Sequence, residues 1–195
     1  MIGRGISPDV HTFSILIDAI CKERMVKKAH KLFDLMIESG MEPDTITYSA
    51  LMEGYCLHSR MDEAENVLHS MMVRGCEPNV ISYSILINGY CKAKKWDKAM
   101  QNFEDMRSKG LTPDVITYTS LIDGLFKVGR VAAAQELFME MQAQGLPGDV
   151  ITYNSIIDGL CKVGRVAAMQ ELFMEMQAQG RTPDNVTYSV MMQFF

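Results

Sequence analysis

One interval governs this sequence. An aromatic ring stands at Phe13, Tyr48, Tyr83, Tyr118, Tyr153 and Tyr188, each 35 residues after the last. A glycine ladder (Gly5, Gly40, Gly75, Gly110, Gly145, Gly180) and a methionine ladder (Met1, Met36, Met71, Met106, Met141, Met176) keep the same step. Three ladders with one period and no slippage make a tandem array, and periods of this size belong to solenoids and related repeat folds. The division gives five full repeats at 10–44, 45–79, 80–114, 115–149 and 150–184. Residues 1–9 read as the tail of an earlier repeat and 185–195 as the first helix of a partial one.

Within a repeat, slots are counted from 1 to 35, so that Val115 takes slot 1 and Asp149 slot 35. Tyr118, Leu121, Ile122 and Leu125 fall on one face of a helix that stops near Gly129. Ala134, Leu137, Phe138 and Met141 form the apolar stripe of a second helix starting near Val131. Gly145 stands where a left-handed residue would end it. Asp at slot 35 is placed to cap the next first helix. One such hairpin cannot bury its apolar face alone, whereas stacked neighbours can. The expected fold is all-α: a right-handed α-solenoid of helix–turn–helix repeats with a concave surface.

Composition sets outer bounds. The 195 residues are 48% hydrophobic and 22% charged, as in ordinary folded proteins. No apolar run reaches the roughly 18 residues a membrane helix needs. No cleavable signal or Arg-rich, acid-poor leader opens the sequence, so no targeting peptide is expected in this chain. The formal net charge of −5 does not of itself advertise nucleic-acid binding.

The other face of the first helix carries slots 2, 5, 9 and 13, which line up by i+3 and i+4 steps. In the fourth repeat they hold Ile116, Thr119, Asp123 and Lys127; in the fifth, Ile151, Asn154, Asp158 and Lys162. Slot 5 varies, as Ser14, Ser49, Ser84, Thr119 and Asn154, and slot 35 reads Asp44, Asn79, Asp114, Asp149 and Asp184. Between Gly124–Gly145 and Gly159–Gly180 the copies differ only at Phe126/Cys161 and Ala134/Met169. A short hydrogen-bonding side chain that varies in a constant frame is what base reading requires. Plain helix capping accounts for the same residue types.

The words "VITYTSLIDGLFKVGR" and "ELFMEM", with "PD" closing the repeat, resemble the pentatricopeptide repeat (PPR) of the P class over essentially the whole chain. "DGLCKVGR" and the near-identical copies resemble the restorer-of-fertility group of plant organellar PPR proteins. The resemblance implies single-stranded RNA binding, one base per repeat, by a protein of mitochondria or, alternatively, chloroplasts. It implies that slots 5 and 35 choose the base, through Ser14/Asp44, Ser49/Asn79, Ser84/Asp114, Thr119/Asp149 and Asn154/Asp184. Family rules turn these pairs into 5′-GAGGU-3′. Slot 2, as His11, Ile46, Ile81, Ile116, Ile151 and Val186, would sandwich the bases. Lys22, Lys92, Lys127 and Lys162 at slot 13 would meet phosphates. The fourth repeat ends "GLPGD", with Pro147 one place early, a departure expected to tilt Asp149 away from its base.

No catalytic constellation, cofactor motif or metal-ligand spacing stands out. Cys21, Cys56, Cys91 and Cys161 share slot 12 and read as packing residues in a reducing compartment. The rival class is a protein-binding helical repeat, although the "W…LG…Y" words of tetratricopeptide repeats are missing. Exposed apolar repeat ends favour a homodimer or end-to-end self-association.

Overall fold

The structure, a computed structural model, describes residues 8–194. The Met1 and Gly5 rungs and most of the expected 1–9 tail lie outside the described residues. Paired helices follow in order: α1 (Val10–Lys22), α2 (Val26–Glu38), α3 (Thr45–Leu57), α4 (Met61–Val73), α5 (Val80–Lys92) and α6 (Trp96–Ser108). Then come α7 (Val115–Lys127), α8 (Val131–Ala143), α9 (Val150–Lys162), α10 (Val166–Ala178) and the short α11 (Asn185–Met191), which runs into a 3-10 turn over Met192–Phe194. Among the described residues there is no strand. The expected all-α solenoid is what the chain forms.

Each helix has a local reason to start and stop. The first helices are capped by Asp9, Asp44, Asn79, Asp114, Asp149 and Asp184, whose side chains accept from the backbone N–H three residues on. The second helices end at Gly40, Gly75, Gly110, Gly145 and Gly180, all at positive φ. There the Gly145 N–H donates to Gln142 O and the Leu146 N–H to Met141 O, the paired bonds of a Schellman stop. The first helices also end on a left-handed residue. It is glycine at Gly129 and Gly164 but Arg24, Ser59 and Lys94 in the first three repeats, with φ between 57° and 61°.

Packing builds two unequal layers. Each first helix lies against the first helix of the next repeat, α1 on α3, α3 on α5, α5 on α7, α7 on α9 and α9 on α11. Each second helix leans on its own first helix and on the following one. Among the described residues no two second helices come comparably close. They are bridged by long side chains, as in Lys98–Glu65 (3.3 Å) and Arg107–Glu140 (3.1 Å). A stack pressed together on one side and spread on the other curves, with the first helices inside.

Glycine permits the close side. A Cβ on Gly54 would lie 2.3 Å from Cys21 Sγ, and one on Gly159 would lie 2.2 Å from Phe126 Cγ. The slot-12 side chain of one repeat thus fills a notch left by the slot-10 glycine of the next. Glycine inside a helix costs about 1 kcal/mol relative to alanine; the notch is the compensation. The cysteines are packing residues, as expected: Cys21, Cys91 and Cys161 are buried. Burial pushes the Cys21 thiol up to about 11 and the Cys56 and Cys91 thiols up to about 12.

Aromatic pairs lock successive repeats. Phe33 meets Tyr48 edge-on at 5.3 Å, Phe103 meets Tyr118 at 5.7 Å and Phe138 meets Tyr153 at 5.6 Å. The apolar stripes read from the fourth repeat are buried throughout. Two differences within the fifth repeat's core, Cys161 for Phe126 and Met169 for Ala134, offset each other locally. Met169 is fully buried, and its Sδ lies beside Cys161 Sγ, the smaller residue that replaces Phe126 at that slot.

Candidate nucleic-acid interface

Because the first helices line the concave side, their outward stripe forms a continuous row. Ile46, Ile81, Ile116, Ile151 and Val186 project from it, each between 56% and 67% exposed. Large aliphatic side chains held in solvent at regular spacing are an unusual surface. His11 takes the same position in the first repeat and is also exposed.

Slots 5 and 35 converge beside this row. They do so through a third residue that the sequence reading passed over, the buried hydroxyl at slot 3 of the following repeat. The Thr47 N–H donates to Asp44 Oδ1 at 2.8 Å, and Thr47 Oγ1 donates to the same oxygen at 2.7 Å. Thr47 Oγ1 also lies 2.6 Å from Ser14 Oγ. The relay recurs as Ser84–Thr117–Asp114, with 2.6 Å between the hydroxyls, and as Thr119–Thr152–Asp149, with 2.7 Å. In the fifth repeat the Thr187 hydroxyl donates to Asn154 Oδ1 at 2.6 Å, and Asn154 Nδ2 donates to Asp184 Oδ1 at 3.1 Å. Thr47, Thr117, Thr152 and Thr187 are fully buried. In the sequence its mark is the threonine that precedes the aromatic rung, as in Thr47–Tyr48 and Thr117–Tyr118.

Capping and presentation use different oxygens of one carboxylate. In Asp44, Asp114, Asp149 and Asp184, Oδ1 takes the capping bonds, and among the described residues Oδ2 has no protein partner. Asp184 is held below its ordinary pKa, first by the Thr187 N–H and then by the Asn154 amide, so it is an ionised acceptor at neutral pH. Asp149 caps α9 at 2.8 Å as Asp114 caps α7. The expected tilt does not occur. Gly148 is buried where Pro43 and Pro113 are buried in other repeats, and a Cβ there would touch Phe138 and Tyr153 at 3.3 Å.

The second repeat departs from the pattern. Its cap is Asn79, whose oxygen takes the Ser82 N–H at 3.1 Å and the Ser82 hydroxyl at 3.3 Å. Ser82 does not reach Ser49, and Ser49 Oγ is a buried oxygen with no hydrogen-bond partner. It lines a cavity of about 390 Å³ with His11, Ser14, Ile46, Asn79 and Ile81.

The slot-13 lysines are not equivalent. Lys22, Lys127 and Lys162 are paired to Asp18, Asp123 and Asp158 one turn back, at 2.6, 2.5 and 2.5 Å. Lys92 faces Asn88 at the corresponding place and forms no ion pair among the described residues. The turns that follow add Arg24, Arg60, Lys94, Lys95, Arg130 and Arg165, with Glu23 the one acid in the turns themselves; Arg60 is paired to Glu63 at 2.6 Å and Lys95 lies 3.7 Å from Asp62. Among the described residues no His, Cys, Asp and Glu group is arranged to hold a metal ion, and no helix is long and apolar enough to cross a membrane.

Comparison with known proteins agrees with this geometry. The PPR repeat family model matches residues 8–57, 46–92, 79–127, 113–162 and 148–195. The crystal structure of the maize pentatricopeptide repeat protein PPR10 is 33% identical over 98% of this chain, with a TM-score of 0.71. PPR10 in complex with an 18-nt psaJ RNA element is 30% identical over 91% of the chain, with a TM-score of 0.80. This chain spans 27% and 26% of those two chains. A pentatricopeptide repeat-containing protein of Arabidopsis thaliana is 53% identical over 34 residues, which are 17% of this chain and 7% of that protein. The chain belongs to the PPR repeat family.

Proposed function

We propose that this chain is a sequence-specific single-stranded RNA-binding protein, not an enzyme, and that it reads one base per repeat across the units 10–44 to 150–184. The observation that carries the reading is the convergence of slots 5 and 35 at one point per repeat, beside an exposed aliphatic wedge. Asn154 and Asp184, 3.1 Å apart, are the most direct instance. The RNA-bound PPR10 structure superposes on this chain, which supports a nucleic-acid ligand for the same row.

The chemistry follows from donors and acceptors. Ser14, Ser84 and Thr119, each beside an Asp side chain, offer acceptors to the N–H groups of guanine. Ser49 with Asn79 combines a free hydroxyl with an amide that can donate, which suits adenine. Asn154 with Asp184 offers one N–H and one acceptor, which suits uracil. The site is then 5′-GAGGU-3′. His11, Ile46, Ile81, Ile116, Ile151 and Val186 sandwich the bases, and Lys22, Lys92, Lys127 and Lys162 lie along the phosphate path. By family resemblance the protein acts on organellar transcripts, in mitochondria or alternatively chloroplasts, in processing, stabilisation or translation, and its wording is that of the restorer-like group.

The test is competition binding on short RNAs at low and physiological salt. GAGGU is expected to outcompete the same RNA with cytosine as its fifth base. Salt-sensitive binding that ignores sequence would reduce the row to an electrostatic track, and absence of RNA binding would favour a protein-binding scaffold.

A further inference from the structure

We infer that the buried slot-3 threonine is a positioning residue that sets the hydrogen-bond polarity of the base-facing group in the preceding repeat. The inference rests on the base-reading function proposed above and adds a residue to it.

Proton counting carries the argument. Ser84 Oγ lies 2.7 Å from Val80 O and 2.6 Å from Thr117 Oγ1, and Thr117 Oγ1 lies 2.7 Å from Asp114 Oδ1. Two hydroxyl hydrogens serve three contacts. A carbonyl and a carboxylate only accept. Within the protein the Ser84 hydrogen is therefore taken by Val80 O or by Thr117, and lone pairs remain for the concave side. Ser84 is held as an acceptor next to the oxygens of Asp114. Guanine presents N1–H and N2–H₂ to such a pair, whereas adenine presents one amino group and a lone pair. The Ser14–Thr47–Asp44 relay repeats this arrangement. Ser49 is the natural contrast: neither a slot-3 hydroxyl nor the carbonyl four residues back takes its hydrogen, as they do for Ser14 and Ser84.

In the fifth repeat the same position fixes an amide. The Thr187 hydroxyl donates to Asn154 Oδ1, and Asp184 accepts from Nδ2. Thr187 Oγ1 also lies 3.0 Å from Asp184 Oδ1, so its hydroxyl can meet either end of the amide; the carboxylate is what opposes a flip, because a flipped amide would set its oxygen against Asp184 Oδ1. One N–H is left for the base. It suits the O4 acceptor of uracil and opposes the N4–H₂ donor of cytosine.

The experiment uses the full 195-residue chain, with Thr117→Val and Thr187→Val, and fluorescence anisotropy on RNAs varied at the third or fifth base. Valine keeps the buried volume and removes the hydroxyl. Thr117→Val is expected to lower G-over-A discrimination at the third base about five- to tenfold, the worth of one hydrogen bond. Its U-over-C discrimination at the fifth base stays at the wild-type ratio. Thr187→Val gives the converse pattern. Thr117→Ser, which keeps the hydroxyl but not the methyl, falls between. Should Thr117→Val not fold, Thr187→Val in the last helix carries the test, because repeats contact only their neighbours. Variants that keep wild-type discrimination at their own base, or lose it equally at both bases, overturn the inference while leaving base reading intact. A wild-type chain with no base preference overturns base reading and this inference with it.

Discussion

Cys21 and Gly54 stand 33 positions apart in sequence, yet the thiol of one occupies the space a side chain would need on the other, 2.3 Å from where a Cβ would sit. The same knob and notch join Phe126 to Gly159. This contact decides how closely consecutive first helices approach, and with them the slot-5 and slot-35 groups they carry.

Gly159→Ala is therefore expected to destabilise the protein by about 1–3 kcal/mol, although alanine is the better helix former. Chemical denaturation measures it. In a Phe126→Ala background the notch is empty, and the same change is expected to be neutral or stabilising. Equal costs in both backgrounds would show that the glycine is not there for Phe126.

Ser59 holds a left-handed backbone conformation, φ 57°, where the fourth and fifth repeats use glycine. Ser59→Gly is expected to stabilise by about 0.5–1 kcal/mol, raising the melting temperature by about 1–4 °C. An unchanged or lower melting temperature would place the cost of that turn elsewhere.

Asn79→Asp converts the amide beside Ser49 into an acceptor. The expected outcome is a change of second-base preference from A towards G, about tenfold in relative affinity, read by competition with RNAs varied at that base alone. Retention of the A preference would mean that slot 35 serves only as a cap.

Lys92 is expected to dominate the salt dependence of RNA binding. Removing its charge as Lys92→Gln should reduce the slope of log affinity against log salt by about one. Lys127→Gln should change it less, because Asp123 already neutralises that lysine. Equal slopes for the two variants would remove any effect of the ion pairs.

The Asp184 carboxyl has a lowered pKa. The fold favours its ionised form, so that contribution is complete above the ordinary carboxylate value and fades only as pH falls through the depressed one. U-over-C preference at the fifth base should stay flat from about pH 8 to about pH 5. A midpoint near pH 6 would assign the preference to another group.

What the sequence made legible were relations within one helix. Tyr118, Leu121, Ile122 and Leu125 announce a buried face by spacing alone, and Asp114 announces a cap by its place before it. Relations across repeats stayed hidden. Thr117 sits in an apolar word, and nothing local says that its hydroxyl meets Ser84. The Gly124 of "DGL" reads as a weak helix residue until Cys91 and Trp96 are seen against it. The Lys127–Asp123 pair was open to inspection as an i,i+4 spacing, but the lysine was read for its charge alone. The tilt expected of Asp149 failed because a cap is fixed by its own backbone and by Thr152, whatever precedes it.

The two layers differ in stiffness. Along the inside, successive helices are keyed together by side chains seated in glycine notches, and any change of spacing there opens voids or creates clashes. Along the outside, neighbours are tied by solvent-exposed pairs such as Lys98–Glu65, each contributing no more than about 1 kcal/mol. Such a body resists stretching along its inner edge and yields along its outer one. It is a coil that can tighten or relax its winding while the distance from one inner position to the next stays nearly constant.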